Sequence, residues 1–111
     1  MRLDKLTIKS REALGDAESL ARRLGHQEIT GLHLLAALVE QQDGVVRPVL
    51  ERAGAAAPLV GARIAEALRK IPQVQGADVY PGKDLKRLVD AARAQAGRLK
   101  DEYVSTEHFL L

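Results

Sequence analysis

Apolar residues recur with the period of an α-helix along most of the chain. Near the N-terminus they fall within a narrow arc when successive positions are turned by 100°, at Leu6, Ala13, Ala17, Leu20 and Leu24. Thr7 has a side chain suited to an N-cap, and Gly25 stands where a residue of left-handed conformation often ends a helix. The pattern predicts an amphipathic first helix between Thr7 and Gly25.

Two shorter helices are predicted next. The second opens at Thr30, carries a run of leucines and ends before Gln41. The third has Pro48 in its first turn, where the missing N–H group costs little, and closes at Gly54. Both present apolar residues on one side, which predicts that they pack on a common core.

The remaining periodic segments predict three more helices. Residues 58–71 form the fourth, and Pro72 ends it because proline disfavours the α conformation in the residue before it. The fifth spans about 83–99, and Ser105 or Thr106 caps a sixth. Residues 72–82 hold two Pro and two Gly without periodicity and are interpreted as a linker. Since no alternating run is long enough for a β-strand, the predicted fold class is all-α.

The chain also matches itself when it is shifted so that His33 falls on His108. No gap is needed, and the same shift pairs Ala17 with Ala92, Ala21 with Ala96, Leu24 with Leu99, and Thr30 with Ser105. Two unrelated helices would share apolar periodicity, but not also the loop length and a Thr/Ser-x-x-His start on the next helix. The match indicates a tandem duplication, which predicts one compact helical domain with pseudo-twofold packing.

The duplication divides the domain into two unequal parts. Repeat 1 is expected at about 1–71, the linker at 72–82 and repeat 2 at about 83–111. The second copy stops after the opening of its second helix. We therefore expect repeat 2 to be incomplete at the C-terminus.

Composition restricts the classes of function. The 111 residues include no Cys, which excludes disulfides, thiolate zinc sites and thiol nucleophiles. The net charge of +2 comes from 17 basic and 15 acidic residues spread along the chain, which argues against nucleic-acid or anionic-lipid binding. The longest uncharged stretch, 29–39, is far shorter than the run of about 20 apolar residues that a bilayer-spanning helix needs. Without a signal-peptide pattern, a cytoplasmic location is expected.

One segment has a distant similarity to a phosphate-binding loop. A P-loop needs four residues between its glycines and a Ser or Thr after the Lys, whereas five residues separate Gly76 from Gly82 and Asp84 follows Lys83. The Asp84 carboxylate would repel a phosphate. We interpret this segment as the solvated start of a helix.

The three histidines are candidates for a metal site. His26, His33 and His108 lack the i, i+4 spacing of helical zinc ligands. His33 and His108 instead stand at the third position of a capped helix, where they are expected to hydrogen bond to its first turn. No Ser lies in a strained nucleophile elbow either. We predict no catalytic site, metal or cofactor in this chain.

Two segments resemble the Clp N-terminal repeat. They are 25–35 (GHQEITGLHLL) and 99–110 (LKDEYVSTEHFL). The opening 1–7 (MRLDKLT) and the segment 71–76 (IPQVQG) are similar to the ClpB branch of that family. The sequence departs from the family in having Gly31-Leu32 where Pro-Glu is frequent, and Gly82 where a Ser cap is common.

This resemblance implies a mobile N-terminal domain on a hexameric ring of ATPase modules. Such a domain in a ClpB-type disaggregase engages exposed hydrophobic segments of unfolded or aggregated proteins, in a stress response. ATP and magnesium are expected in the ATPase modules and not in this chain. The expected partners are unfolded or aggregated polypeptides and an adaptor or co-chaperone, without nucleic acid or membrane, and the isolated domain is expected to be a monomer.

The resemblance also implies which residues contact substrate. Three polar positions match those that the family links to substrate handling, and they are Thr7, Asp101 and Glu107. Thr7 is equally suited to capping the first helix, and Asp101 to ending a loop. For Glu107 the role in substrate handling is somewhat favoured over stabilising the positive end of the last helix. From the apolar pattern, three further residues are candidates for the floor of a groove, although core packing is the favoured interpretation for any one of them, and they are Leu3, Leu6 and Val89.

Two other functions are compatible with the sequence. The first is an adaptor-docking domain of a ClpC-type or ClpA-type unfoldase that works with a protease. The second is an all-α nucleic-acid binder with a helix-turn-helix near Gly25, which the absence of a basic recognition helix opposes.

Overall fold

Helices form most of the structure. The computed structural model describes residues 5–74, 76 and 78–110. In chain order, this part of the molecule contains α1 (Ile8–Leu24), β1 (Glu28–Ile29), α2 (Gly31–Glu40), α3 (Val46–Arg52), α4 (Ala57–Arg69), β2 (Tyr80–Pro81), α5 (Lys83–Arg98) and a 3₁₀ helix (Thr106–Leu110). The predicted all-α fold class is confirmed. Leu3 lies outside the described residues, so its predicted role as groove floor has no structural counterpart here.

The ends of α1 follow the expected chemistry. The Thr7 hydroxyl accepts a hydrogen bond from the Ser10 backbone N–H at 3.2 Å, which satisfies one of the unpaired donors of the first turn. Gly25 has φ 73°, and its N–H bonds to carbonyls of the last turn. Arg22 and Arg23 lie in that turn, where positive charge favours the C-terminal end of the helix dipole. Local sequence therefore fixes both ends of α1.

The structure confirms the sixth helix but changes its type, and it contradicts the expectation that no strand is present. The sixth helix is a 3₁₀ helix of five residues, in which the His108 N–H bonds to the Ser105 carbonyl at 3.1 Å. Two strands are present although none was expected, and they pair in parallel with Glu28 opposite Tyr80 and Ile29 opposite Pro81. Each strand is too short to produce an alternating pattern. Their pairing depends on contacts between segments that are far apart in the sequence.

Two apolar clusters hold the helices together. The larger one joins residues from both predicted repeats, among them Ala17, Leu34, Leu38, Leu85 and Val89. The smaller one lies between α2 and α4 around Val39, Ile64 and Leu68. Because the larger cluster takes side chains from α1, α2 and α5 together, the two copies of the repeat share that core, while the smaller cluster lies wholly within the first copy.

Backbone hydrogen bonds connect the two copies reciprocally. The Thr7 N–H bonds to the Val104 carbonyl at 3.0 Å, and the Gly82 N–H bonds to the Ile29 carbonyl at 2.9 Å. The shift that places His33 on His108 also places Thr7 on Gly82 and Ile29 on Val104. Such an exchange of partners is what a twofold relation between two copies produces, and it supports the predicted duplication.

Candidate functional site

Thr7 lies beside the loop that carries the two acidic candidates. Leu6 and Val104 form a parallel β-bridge, which brings the start of α1 against the segment between α5 and the 3₁₀ helix. Thr7 Oγ1 donates to Ser10 Oγ at 3.0 Å, and Ser10 Oγ donates to the Val104 carbonyl at 3.0 Å. This chain of hydrogen bonds holds the half-buried Thr7 side chain. Thr7 is thus both the predicted cap and a neighbour of the acidic loop.

Asp101 stands on a tight turn after α5. Lys100 has φ 58°, and the Asp101 N–H bonds to the Ala96 carbonyl at 2.8 Å. The Ser105 N–H donates to His108 Nδ1 at 2.9 Å, so the ring proton is on Nε2, which donates to Asp101 Oδ2 at 2.8 Å. The Asp101 side chain remains 49% exposed. Its carboxylate is therefore oriented by His108 and accessible to a partner.

Glu107 lies in the first turn of the 3₁₀ helix and is partly buried. It is the residue before His108, so the bond between His108 and Asp101 brings the segments of the two acidic residues together. Exposed apolar side chains accompany them, since Ile8 is 75% exposed and Tyr103 is 52% exposed. We call Thr7, Ile8, Asp101, Tyr103 and Glu107 the Thr7 edge.

Leu6 and Val89 do not form a groove floor. Leu6 is 3% exposed and Val89 is 1% exposed, and both belong to the larger core cluster. The expectation failed because an apolar stripe on a helix shows which face is buried only after its packing partners are known. Ile8 and Tyr103, which the sequence analysis did not select, supply the exposed apolar surface instead. The bridge between Leu6 and Val104 directs these two segments to the same edge.

His26 and His33 form a buried pair that the sequence analysis did not foresee. The Thr30 N–H donates to His33 Nδ1 at 2.9 Å, which confirms that His33 hydrogen bonds at the first turn of α2. His33 Nε2 then donates to His26 Nδ1 at 2.8 Å. In the second copy, the position of His26 is occupied by Asp101. His26 and Asp101 therefore occupy equivalent positions, and each can accept a hydrogen bond from the repeated histidine of its own copy. This equivalence in the sequence is the signal from which the pair could have been predicted.

The environment of His33 disfavours its charged form. Burial lowers the pKa of His33 below its ordinary value of 6.5, the neighbouring His26 lowers this pKa further, and Asp84 opposes the shift. A proton on Nδ1 would also face the Thr30 N–H that this nitrogen accepts. The folded domain therefore favours the neutral form of His33 more than the unfolded chain does.

We expect acid to destabilise the domain as the pH falls below 6.5, the ordinary pKa of histidine. Because the pKa of His33 is lower in the folded state, the unfolded chain binds the proton first as the pH falls. The contribution of His33 to the free energy of unfolding is therefore fully present above pH 6.5 and is lost as the pH falls toward the folded pKa. Urea unfolding followed by circular dichroism on either side of this pH measures the loss. In His33→Gln the loss should be smaller, and an equal loss would contradict this origin.

A groove also lies between α1 and α4, above α2. Both helices pack on α2, and a cleft of about 720 Å³ is lined by residues of all three helices. Its apolar lining includes Leu20, Leu24, Ala36, Ile64 and Leu68. We call this cleft the α1–α4 groove. The sequence predicted both helical stripes, but their separation depends on how the two helices meet α2.

The described part of the chain contains neither a metal-binding cluster nor a membrane-spanning helix. Within residues 5–74, 76 and 78–110, no group of three or more His, Asp or Glu side chains is arranged to hold a metal ion. None of the helices described there has the length and apolar character needed to cross a membrane.

Comparison with known proteins identifies the family. The profile of the family described as "Clp repeat (R) N-terminal domain" matches residues 5–111. The chain is 36% identical over 111 residues to the chaperone protein ClpB of Rhodopirellula baltica, and the match covers 99% of this chain. It is 40% identical over 113 residues to ClpB of Nitratidesulfovibrio vulgaris, and that match covers 97% of this chain. In both comparisons the chain spans 13% of the length of the relative.

A solved structure agrees with this assignment. The complex of a ClpV N-domain with a VipB peptide has a TM-score of 0.82 and 26% identity, and the match covers 99% of this chain and 71% of that one. The family profile and the two ClpB relatives each match nearly the full length of the chain. The chain therefore belongs to the Clp N-terminal repeat family.

Proposed function

We propose that this domain engages exposed hydrophobic segments of unfolded or aggregated proteins for a ClpB-type ATP-dependent disaggregase. The observation that carries the proposal is the composition of the Thr7 edge, where the bridge between Leu6 and Val104 joins the segments of the exposed Ile8 and Tyr103, and Asp101, two residues before Tyr103, keeps a half-exposed carboxylate. The similarity to ClpB proteins supports the parent, and the complex of a related ClpV N-domain with a VipB peptide supports peptide binding.

The expected affinity is weak. A client segment that buries about 400 Å² of apolar surface gains roughly 10 kcal/mol at 25 cal/mol per Å². The loss of translational freedom and the ordering of a flexible client remove most of this gain. Micromolar or weaker binding suits a ring that carries several such domains, because simultaneous contacts raise the overall affinity. The carboxylates on the Thr7 edge favour clients with basic residues beside hydrophobic ones.

The remaining steps belong to the proposed parent protein. ATP and magnesium would act in its ATPase modules, which form a hexameric ring, while this domain captures clients without catalysing a reaction. We place this parent in the cytoplasm. An adaptor or co-chaperone would act on the same ring.

The domain should bind a globular protein that is kept unfolded by reduction and alkylation of its disulfides, and not the native form of that protein. Amide chemical shifts in a titration of the isotope-labelled chain measure this, with changes expected at Ile8, Tyr103 and Glu107. Replacing Tyr103 by Ser should weaken binding severalfold, since an exposed ring that a client covers contributes more than about 1 kcal/mol.

Leu59→Ser is the matched control for this variant. Leu59 is 57% exposed on α4, comparable to Tyr103, and is not part of the Thr7 edge. An equal effect of both variants, or equal binding of native and unfolded protein, would contradict the proposal. Binding to one folded partner without any binding to unfolded chains would instead favour the adaptor-docking function.

A further inference from the structure

We propose that the α1–α4 groove is a docking site for an amphipathic helix of a partner protein, separate from the Thr7 edge. This proposal does not depend on client binding at the Thr7 edge. It rests on the shape of the groove, on the order of the charges along it and on the hydrogen bonds that fix its two ends.

The two walls of the groove differ in polarity. On α1, the residues that face the groove follow a helical stripe through Glu12, Asp16, Leu20 and Arg23. On α4, the facing stripe is uncharged: Gly61 and Ala65 are its accessible members, and Ile64 and Leu68 lie beneath them with 6% of their surface exposed. One polar and one apolar wall match an amphipathic helix that lays its apolar side against α4 and α2. The small side chains of Gly61 and Ala65 let a helix approach α4 closely.

Charges are ordered along the groove. Glu12 and Asp16 lie toward the N-terminal end of α1, and Glu40 joins them because the next residue, Gln41, bonds to Lys9. Arg23 lies at the other end of α1, and Arg69 lies near it because Val74, shortly after α4, bonds to Gly25. Lys9 partly offsets the acidic end through an ion pair with Glu12 at 3.9 Å. From Glu12 to Arg23 the α1 stripe extends roughly 16 Å at 1.5 Å per residue, or about three helical turns. The complementary helix has Glu in its first turn and Lys in its last turn, which also suits its own dipole, and runs antiparallel to α1.

Hydrogen bonds fix the groove at both ends. At the acidic end, Gln41 Nε2 donates to the Lys9 carbonyl at 2.8 Å, and Lys9 Nζ donates to the Gln42 carbonyl at 3.1 Å. At the basic end, the Val74 N–H bonds to the Gly25 carbonyl at 2.8 Å. These bonds hold α1 relative to the segments that follow α2 and α4. A preformed groove binds a helix with less loss of conformational freedom.

A synthetic helical peptide tests the proposal. It has Leu and Ala on one stripe, Glu in the first turn and Lys in the last turn, and a comparison peptide has Gln in place of the charged residues. Amide shifts of Gly61 and Ala65 should report binding of both. At low salt the charged peptide should bind about threefold to fivefold tighter, as expected for an exposed charge pair, and this advantage should disappear at high salt. Replacing Asp16 by Lys should remove the advantage as well.

Gly61→Leu blocks the groove without disturbing the fold. A Cβ added at Gly61 meets no heavy atom within 4 Å, and Leu favours the helix more than Gly does. Gly97→Leu is the matched control, because Gly97 lies within α5 and has the same free space. Gly61→Leu should abolish binding of both peptides, and Gly97→Leu should leave it unchanged.

Three results would overturn the proposal. The first is that neither peptide binds, or that Gly61→Leu binds them as the unaltered chain does. The second is that the chemical shifts of amides in the groove change with the concentration of the domain when no peptide is present. This would mean that a second copy of the chain occupies the groove. The third is that Gly61→Leu also loses unfolded-protein binding, which would merge the groove with the client site. Failure of client binding at the Thr7 edge alone leaves the peptide results unchanged.

Discussion

Replacing His33 by Ala should lower the free energy of unfolding by about 3 kcal/mol. The side chain is fully buried, and its removal leaves the Thr30 N–H and His26 Nδ1 without the partners that they have now. Each buried polar group left unpaired costs about 1–3 kcal/mol, and the lost volume adds a cavity. Urea unfolding followed by circular dichroism measures the change.

A graded series of variants separates the two bonds of His33. Gln at the third helical position can still accept from the N-cap N–H, so His33→Gln should cost about half as much as His33→Ala. His108→Ala in the second copy should cost less than His33→Ala, because water can solvate the half-exposed Asp101 carboxylate that loses its partner. Equal losses for His33→Ala and His108→Ala would contradict the importance of the buried His26.

Leu34→Ala should lower the free energy of unfolding by about 3–4 kcal/mol. Leu34 is 0% exposed and packs in the larger cluster, where side chains from both copies meet. Removal of a buried leucine side chain costs the transfer free energy of the lost methyl and methylene groups and leaves a cavity. The urea midpoint should fall while the slope of the transition stays the same, because the surface exposed on unfolding changes little.

Leu59→Ala is the control for this core variant. Leu59 is 57% exposed on α4, so its truncation should change stability by less than about 0.5 kcal/mol. A comparable loss in both variants would show that the larger cluster is not the main source of stability.

Local chemistry made the helix ends and the repeated histidines predictable. Thr7 and Gly25 bound α1 because a cap hydroxyl and a left-handed glycine each act within one turn of the chain. The match of the chain with itself paired His33 with His108, and both rings accept a backbone N–H at 2.9 Å. Such features depend on residues three or four positions apart, which a sequence displays directly.

Features that depend on distant contacts were not predictable. The apolar stripes contained Leu6, but only the bridge to Val104 decides that Leu6 is buried while Ile8 is exposed. His26 and His33 are seven positions apart and meet because the turn at Gly25 directs one ring toward the other. The α1–α4 groove likewise requires knowledge of how two helices meet a third. Burial and separation are properties of the packed molecule.

The reciprocal bonds between the two copies have a consequence for synthesis on the ribosome. Thr7 bonds to Val104, so the start of α1 reaches its native partner only after residue 104 has left the exit tunnel. Until then, the apolar side of α1 lacks the α5 residues of the common cluster, among them Leu85 and Val89. The apolar surface of α1 that packs on α5 consequently stays uncovered in the nascent chain until the second copy has emerged.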